Sequence, residues 1–505
     1  MQHTCIQVNP VDNVAIAVRP LEPGEPLCGS ITVQQPIPQG QKAALTDLQQ
    51  GDAVIRYGVC IGHLRCNVPA GGYIGPDELE QAEPPSLDTL RWGTNLLSLS
   101  ELPPPPVDTF DGYDCGNGIA GTRNLLGIVT TVQCAAGVTE RAAEYIRQNL
   151  LPRYPHVEDV VVLVPPYGCG VAIDAPEAVV PIRTIRNLIH HPNFGGQTLV
   201  VSLGCEKLTP ERVLDAGEIN DDNRVVLQDC VGFDGMIQAI AERAERKLAQ
   251  LEQRRRQPLP LSSLVVGLQC GGSDAFSGLT GNPAAGYAAD MLVRAGATVM
   301  FSENSEVRDG AAFLAARTPD EQTCRRLCEE LGWYDRYLSA GGVDRSANPT
   351  PGNKQGGLTN IVEKAMGSIA KSGHAPILEV LATGARPTKH GMIDAAPPAN
   401  DMICGTSQMA SGIGLQVFIT GRGTPYNLRA IPVIKVGTRN ELYHQWPDLI
   451  DINAGTIASG EESVAAVGLR LFRQMIDVAS GRTQTCADRH RIYNDTYVFN
   501  PAPIT

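Results

Sequence analysis

The first part of the chain alternates short apolar runs with turn residues. The runs CIQV, VAIAV, SITV and AVIRYGVCIG are separated by proline and glycine. Short strands bounded by turns predict a small all-β module, which we assign to residues 1–76. From 77 to 108 the chain becomes polar and proline-rich and ends in ELPPPPVD. Because four consecutive prolines favour an extended backbone, this segment is predicted to be a linker.

Beyond the linker, apolar strands alternate with helical segments. LLGIVTTVQC precedes ERAAEYIRQNLL, DVVVLVPPYGC precedes VPIRTIRNLIHH, and TLVVSLGCEKL precedes a long charged helix. A second boundary at QPLPLSS divides residues 109–258 from 259–505, where LVVGLQC, TVMFSE, LQVFITGRG and IPVIKV continue the alternation. This pattern predicts a multidomain α/β protein with mainly parallel sheets covered by helices.

The composition of the chain limits the kinds of molecule that it is expected to bind. The chain has 505 residues, 43% hydrophobic and 19% charged, as expected for a globular protein with a real core. Its formal net charge of −13 argues against non-specific binding to nucleic acid or to an anionic membrane. The sequence has no apolar run of membrane-spanning length and no signal-peptide core, so a cytoplasmic location is expected. Its 14 cysteines are therefore predicted to be thiols rather than a disulfide framework.

Four cysteines follow apolar strands directly. They are found in TVQCAAG, PYGCG, LGCEK and LQCGG, at positions Cys134, Cys169, Cys205 and Cys270. In open α/β sheets the ligand crevice lies at the carboxyl ends of the strands, and a thiolate there is a soft metal or cluster ligand. The alternative is a small residue that packs where strand meets helix.

Three further loops carry polar groups suited to a small acid. NPTPGNKQGG places Lys354 in a glycine-rich turn before a helix, although it does not satisfy the phosphate-loop motif. TGRGTPY places Arg422 between glycines, where a guanidinium can bind a carboxylate in bidentate fashion. FSENSEVRD places Glu303 and Arg308 after a strand. Each could instead be a solvated side chain, a cap or a tie between loops, but together they suggest a metal-assisted lyase or isomerase acting on a small polar acid.

The longer motifs support a more specific interpretation. LLGIVTTVQC, YGCGVAI, LGCEKL, QCGGSDAFSG, NPTPGNKQGG, EKAMGSIAKSG, TGRGTPY and DINAGTI closely resemble the altronate/galactarate dehydratase family, in one order over nearly the whole chain. The resemblance implies a β-clip (SAF-like) module, a second domain used in dimerisation and a C-terminal Rossmann-like, metal-binding domain. It implies a homodimeric hydro-lyase that converts galactarate, a small dicarboxylic sugar acid, to 5-dehydro-4-deoxy-D-glucarate, supported by Fe2+.

Such a reaction needs groups that move protons, bind two carboxylates and hold a metal. The catalytic candidates are Lys354, Asp274, Lys207 and Glu303. The substrate-binding candidates are Arg422, Arg308, Ser273, Asn353 and Thr424. The metal-binding candidates are Cys134, Cys169, Cys205, Cys270 and Glu206. An iron–sulfur cluster held by the thiols is the alternative to mononuclear Fe2+, and other divalent cations could occupy the same ligands.

Three positions depart from the family pattern. Asn9, Gln41 and Pro165 stand where that pattern has histidine, the side chain best suited to proton transfer near neutral pH. They motivate an alternative function, either as a lyase for another 2-hydroxy or sulfonated acid or as an acid-binding protein with impaired catalysis. His63, in CIGHLRC, could supply a replacement imidazole, or it could be a partly exposed strand residue.

Overall fold

In the computed structural model, which describes residues 4–505, the N-terminal module consists of two small antiparallel sheets. Its strands are β1 (Cys5–Ile6), β2 (Val14–Ala17), β3 (Lys42–Ala44), β4 (Ala53–Arg56), β5 (Val59–Leu64), β6 (Tyr73–Ile74) and β7 (Leu79–Gln81). One sheet has the order β1-β2-β3-β6 and the other β4-β5-β7. Side chains such as Val54 and Ile61 fill the space between them, which explains the short apolar runs seen in the sequence.

The prediction that all cysteines are free thiols is wrong for one pair. Cys5 and Cys28 form a disulfide, with their Cα atoms 6.6 Å apart. Strand β1 and the loop before Ile31 pack side by side, so that two positions 23 residues apart in the chain become neighbours. The other twelve cysteines are free.

The proline-rich segment after β7 follows the surface of the C-terminal domain. Leu102 is buried in the main core of that domain, and Leu87 and Leu97 pack against it. The backbone N–H of Asn95 donates to Ala316 O. The segment includes two 3-10 turns, Leu87–Thr89 and Leu99–Glu101, and it is fixed by contacts that its composition alone does not reveal.

The middle domain contains a four-stranded parallel sheet with three helices. Its elements are β8 (Thr109–Asp114), β9 (Ala120–Gly121), β10 (Leu125–Thr130), α1 (Ala136–Asn149), β11 (Asp159–Leu163), α2 (Val179–Ile189), β12 (Leu199–Ser202), β13 (Arg224–Val226), α3 (Gly232–Leu251) and β14 (Gln257–Pro260). The parallel sheet has the order β11-β10-β12-β13. A separate small sheet, β14-β8-β9, joins the strand by which the chain enters the domain to the strand by which it leaves.

The C-terminal domain is built on a seven-stranded parallel sheet. Its strands are β15 (Val265–Cys270), β16 (Thr298–Phe301), β17 (Ile377–Leu381), β18 (Gly391–Ala395), β19 (Leu415–Thr420), β20 (Val433–Gly437) and β21 (Ile452–Asn453). Its helices are α4 (Gly281–Arg294), α5 (Asn304–Val307), α6 (Ala311–Ala316), α7 (Glu321–Ala340), α8 (Pro351–Gln355), α9 (Ile361–Ile369), α10 (Asp401–Ala410), α11 (Asn440–Gln445), α12 (Gly455–Ala458), α13 (Val464–Ala479) and α14 (Cys486–His490). The predicted β module followed by α/β domains with parallel sheets is confirmed.

The strand order creates a crevice in the middle of this sheet. The order is β17-β18-β16-β15-β19-β20-β21, so the chain proceeds from β15 to β16 on one side and later adds β19 on the other. The loops that leave the carboxyl ends of β15 and its two neighbours therefore diverge in opposite directions. Open parallel sheets bind ligands at this kind of switch point.

The middle and C-terminal domains share one apolar core. Val129 and Val161 of the middle domain belong to the same buried cluster as Met300 and Phe418 of the seven-stranded sheet. The opposite face of that sheet is covered by α4 and α13. Within residues 4–505, no helix is both long and apolar enough to cross a membrane.

Candidate functional site

The carboxyl ends of β15 and β16 bring a thiol and two carboxylates together. Cys270 is the last residue of β15, Glu303 follows β16, and Glu306 lies in α5. One Sγ or carboxylate oxygen from each of the three lies within 4.8 Å of the others, and all three side chains are buried. Glu303 adopts φ +77°, a left-handed conformation that is rare outside glycine and concentrates at functional sites.

Two lysines from the segment 361–372 neutralise this group. Lys371 Nζ lies 2.5 Å from Glu303 Oε2, 3.3 Å from Cys270 Sγ and 2.5 Å from Ser368 Oγ. Lys364 Nζ lies 2.9 Å from Glu306 Oε2. The two ammonium groups balance the two carboxylates, as burial in a poorly solvated site requires.

The pKa values of the two carboxyl groups are shifted in opposite directions. Burial raises the pKa of Glu303 to about 7, although the charge of Lys371 opposes the shift. Burial also acts to raise the pKa of Glu306, but Lys364 and Lys371 outweigh it and the pKa falls below its ordinary value. Two neighbouring carboxyl groups with separated pKa values are typical of acid–base chemistry. Burial raises the pKa of the Cys270 thiol to about 12, so this group is neutral near pH 7.

The group formed by Cys270, Glu303 and Glu306 does not fit a ferrous ion in this arrangement. The Lys371 ammonium already contacts both the Cys270 sulfur and the Glu303 carboxylate. A metal ion would have to bind in the same position. In this arrangement the Lys371 ammonium occupies the position of a bound cation, and we do not place a metal there.

A second layer of polar residues lies next to it, in the loop after β15. Asp274 is buried and forms an ion pair with Arg439, with Nε 3.0 Å from Oδ2. Its Oδ1 accepts from Ser277 N at 2.9 Å and from Thr438 Oγ1 at 3.2 Å. Burial raises the pKa of Asp274, with Arg439 opposing the shift.

The outer layer is formed by two glycine-rich loops. Asn353 Nδ2 donates to Ser273 O at 2.8 Å, which joins the loop before α9 to the loop after β15. The Ser273 hydroxyl is buried and, among the described residues, has no hydrogen-bond partner. Arg422 is exposed and donates to Gln355 Oε1 at 3.0 Å, while Thr424 Oγ1 lies 3.4 Å from Thr420 Oγ1. A polar mouth that carries the exposed Arg422 thus adjoins the charge-balanced interior.

The N-terminal module docks against this site within the same chain. Lys42 Nζ donates to Gly357 O at 3.0 Å and lies 3.1 Å from Glu363 Oε2. Arg56, from the end of β4, also forms an ion pair with Glu363 and donates to Ala275 O at 3.2 Å. The side chains of Lys42, Arg56 and Glu363 are all at most 1% exposed, so the module and the C-terminal domain share a buried charge network.

The remaining predicted thiols lie in the middle domain. Cys134, Cys169 and Cys205 follow β10, β11 and β12, and their three loops are tied together at the carboxyl edge of that sheet. Lys207 N donates to Gly168 O at 2.8 Å. Gly168 has φ +128°, and a Cβ atom there would lie 1.9 Å from Thr131 O, so only glycine fits. The three thiols are exposed.

The other two candidates in this domain have partners of their own. The Glu206 carboxylate accepts from Thr131 Oγ1 and from the backbone N–H groups of Leu203 and Gly204. Lys207 Nζ donates to Val171 O at 2.9 Å and to Thr505 Oγ1 at 3.0 Å. Both side chains fix the loops that carry the thiols.

The structure thus separates the predicted residues into two places. Around the C-terminal crevice it brings together Cys270, Ser273, Asp274, Glu303, Asn353, Lys354, Arg422 and Thr424. In the middle domain it places Cys134, Cys169, Cys205, Glu206 and Lys207. Arg308 belongs to neither, because its guanidinium donates to Asp335 at 2.8 Å and to Pro85 O at 2.9 Å and so holds the linker.

Sequence reasoning missed the two lysines that organise the interior. Lys364 and Lys371 both lie in EKAMGSIAKSG, a motif that carried the family resemblance but supplied no candidate residue. Glu306 and Arg439 were missed as well. The available signal was the pair of charged residues Glu363 and Lys364 within the mostly apolar helix IVEKAMGSI.

The three departures from the family pattern lie at informative positions. Gln41 is buried beside Lys354, whose carbonyl oxygen is 3.4 Å from Gln41 Nε2. Asn9 starts a turn closed by Asp12, and Pro165 is buried in the loop that leads to Cys169. His63 is exposed, with Nδ1 3.2 Å from Gly51 O, and does not line the crevice.

Domains of one protein family match this chain over nearly its whole length. The altronate/galactarate dehydratase SAF domain matches residues 3–82, the D-galactarate dehydratase/altronate hydrolase second domain matches 112–252, and the D-galactarate/altronate dehydratase C-terminal domain matches 261–504. The chain is 53% identical to galactarate dehydratase (L-threo-forming) of Escherichia coli (strain K12), over 99% of this chain and 97% of the relative. It is 32% identical to altronate dehydratase of Bacillus subtilis (strain 168), over 94% and 95%. It is 30% identical to the (2R)-sulfolactate sulfo-lyase subunit beta of Chromohalobacter salexigens, over 78% and 98%.

Proposed function

This chain belongs to the D-galactarate/altronate dehydratase family, and on that basis we propose that it is a hydro-lyase that removes water from galactarate. The product is 5-dehydro-4-deoxy-D-glucarate. The structural observation that carries the proposal is the buried pair of Glu303 and Lys371 at the switch point of a parallel sheet. A carboxylate whose pKa lies near 7 is suited to accept a proton at neutral pH.

Dehydration of a 2-hydroxy acid starts with removal of the proton beside the carboxylate. In the proposed mechanism Glu303 accepts this proton, and the adjacent Lys371 ammonium stabilises negative charge that develops in the interior. The hydroxyl group on the next carbon then leaves as water. The resulting enol becomes the keto acid.

The polar mouth supplies the binding groups for a doubly charged substrate. Arg422 and Lys354 are both exposed, and within residues 4–505 neither forms an ion pair with a carboxylate. We propose that they bind the two carboxylates of galactarate, with Thr424 and the unpartnered Ser273 hydroxyl contacting its hydroxyl groups. Arg439 stays paired with Asp274 and holds the loop in place.

The iron requirement stays a prediction, and the residues that fit it are the three exposed thiols of the middle domain. Cys134, Cys169 and Cys205 lie on adjoining loops, are exposed and accept or donate no hydrogen bond among the described residues. Within residues 4–505 these three sulfur atoms do not all lie within 4.8 Å of one another, and an iron–sulfur cluster held by them stays the alternative to mononuclear Fe2+. A metal or cluster held there would supply a Lewis acid in the middle domain, in a place separate from the crevice proposed to bind galactarate, and no step of the mechanism above uses it.

The class of the C-terminal fold, the oligomeric state and the cellular location are also proposals. Strands are added to the sheet on both sides of β15, and this strand order supports a Rossmann-like C-terminal domain. A homodimer formed through the middle domain and a cytoplasmic location follow from the family resemblance.

The function is tested with anaerobically purified, iron-loaded protein. Galactarate, altronate and (2R)-sulfolactate are supplied separately, and the 2-keto-3-deoxy acid or released sulfite is measured. Galactarate is expected to give the highest kcat/KM, because identity to the galactarate enzyme exceeds identity to the other two relatives. A preference for altronate or sulfolactate would support the alternative function suggested by Asn9, Gln41 and Pro165, and no turnover of any acid would overturn the proposal.

A further inference from the structure

One aromatic residue of the N-terminal module has an unusual backbone conformation. Tyr57 occupies the turn between β4 and β5 with φ +58°, in the left-handed region that aromatic residues rarely adopt. Gly58 N donates to Asp12 Oδ1 at 2.8 Å and fixes the turn. Such strain persists only where surrounding contacts hold it, and Tyr57 is held by Arg56 and by packing against the core of the C-terminal domain.

The Tyr57 side chain enters the candidate site. It lines the same small pocket as Cys270, Asp274 and Lys364. Two glycines make room for its hydroxyl group, because a Cβ atom on Gly278 would lie 2.3 Å from Tyr57 Oη and one on Gly367 would lie 3.3 Å from it. The hairpin tip therefore delivers a phenol to the interior of the C-terminal domain.

The hydrogen bond to Tyr57 determines what the phenol can do. Arg56 Nη2 lies 3.0 Å from Tyr57 Oη. A guanidinium has only donors, so the phenol oxygen must accept this bond, and its own proton is left for another acceptor. Among the described residues no second partner takes that proton. Arg56 also places a positive charge where a phenolate would form, and this charge opposes the rise in the pKa of Tyr57 that burial causes.

We propose that Tyr57 is the general acid that protonates the departing hydroxyl group of the sugar diacid, an inference that rests on the proposed dehydratase function. As Glu303 takes the proton beside the carboxylate, the electrons of that C–H bond form the C=C bond. The electrons of the C–O bond leave with the hydroxyl oxygen, which takes the Tyr57 proton and departs as water. The enol then loses its O–H proton and gains one on carbon to become the ketone, Glu303 releases its proton to solvent, and the phenolate next to Arg56 takes one up, so no oxidant or reductant is needed.

The decisive experiment compares two leaving groups. Tyr57→Phe is expected to lower kcat with galactarate by about 10²–10⁴-fold, the usual contribution of one positioned acid. Fluoride leaves without needing a proton. With a substrate in which fluorine replaces the departing hydroxyl, Tyr57→Phe is therefore expected to stay within about tenfold of the wild type, a difference of about 1.4 kcal/mol in barrier.

Tyr73→Phe is the matched control, since Tyr73 lies in β6 of the same module and is outside the pocket. It is expected to leave both rates unchanged. If Tyr57→Phe slows both substrates equally, or slows neither, the inference is overturned and Tyr57 is only a packing residue. A wild-type protein that does not dehydrate galactarate would instead overturn the proposed function, which distinguishes the two failures.

Discussion

Lys371 Nζ lies 2.5 Å from Glu303 Oε2, and neither side chain is more than 2% exposed. Under the proposed function, this contact couples catalysis to stability. The carboxylate proposed to accept the substrate proton lies beside an ammonium group that opposes the rise in its pKa. Changing either residue is therefore expected to alter both the pH dependence of turnover and the free energy of unfolding.

The first prediction concerns Glu303 itself. Below its pKa of about 7 the carboxyl group is protonated and cannot act as a base, so kcat in the wild type should rise with pH through about pH 7. Glu303→Gln is expected to lower kcat by about 10²–10⁴-fold. Steady-state rates from pH 5 to 9 measure both effects. Glu144→Gln, at an exposed position in α1, should match the wild type. A Glu303→Gln variant with normal kcat would exclude Glu303 as the base.

The second prediction concerns Lys371. Lys371→Gln leaves the buried Glu303 without its counter-charge and should lower the free energy of unfolding by about 3–5 kcal/mol. Because Lys371 opposes the rise in the pKa of Glu303, its loss should move the acid limb of the residual activity to higher pH. Urea unfolding and pH–rate profiles test the two effects. Lys389→Gln, at an exposed lysine, is the control. An unshifted acid limb in Lys371→Gln would contradict the coupling.

The third prediction concerns the docking of the N-terminal module. Glu363→Gln leaves both Lys42 and Arg56 buried without a carboxylate, whereas Lys42→Met leaves the pair of Arg56 and Glu363 intact. Glu363→Gln should therefore be the more destabilising, by about 3–5 kcal/mol relative to the wild type.

Chemical denaturation and limited proteolysis of the module measure this ranking. Glu22→Gln, an exposed substitution in the same module, should change neither. Equal stability of Glu363→Gln and the wild type would show that the network does not hold the module.

The fourth prediction concerns a buried carboxyl group in β18. Asp394 accepts from Asn304 Nδ2 at 3.1 Å, and burial raises the pKa of Asp394 from 3.8 to about 7. Between these values the unfolded chain has lost the proton and the folded chain retains it, so rising pH favours unfolding. This group alone should reduce the free energy of unfolding by on the order of 4 kcal/mol across that range.

Denaturation midpoints at pH 4.5 to 8 test this effect. Asp394→Asn removes the titrating group, so its midpoint should fall less steeply with pH than that of the wild type. Parallel pH profiles for the two proteins would show that Asp394 does not titrate as described.

The sequence predicted the parallel strands and the thiol at the end of β15, because a buried strand followed by glycines has a clear local pattern. It did not predict the interior of the site. Lys364 and Lys371 look like solvated helix residues, since lysine is almost never buried without a partner, and their partners lie far away in the chain. Only the packing of α9 against α5 and the end of β15 reveals the pairing.

Arg308 illustrates the opposite error. An arginine shortly after a parallel strand is a reasonable candidate for binding a carboxylate. Here the linker passes over it, and the carbonyl oxygen of Pro85 takes one of its donors. The path of an irregular segment depends on contacts distant in sequence, which no local pattern encodes.

The network of Lys42, Arg56 and Glu363 also constrains how this lineage can change. One carboxylate in the C-terminal domain pairs with two basic groups from the N-terminal module, and burial lowers the pKa of Lys42 well below its ordinary value. Replacing Glu363 therefore leaves the Arg56 charge out of reach of water and without a carboxylate. The three positions are therefore expected to vary together among relatives and to be retained or exchanged as a set. Pairwise covariation between these positions, which lie more than 300 residues apart, would be evidence that relatives keep this docking contact.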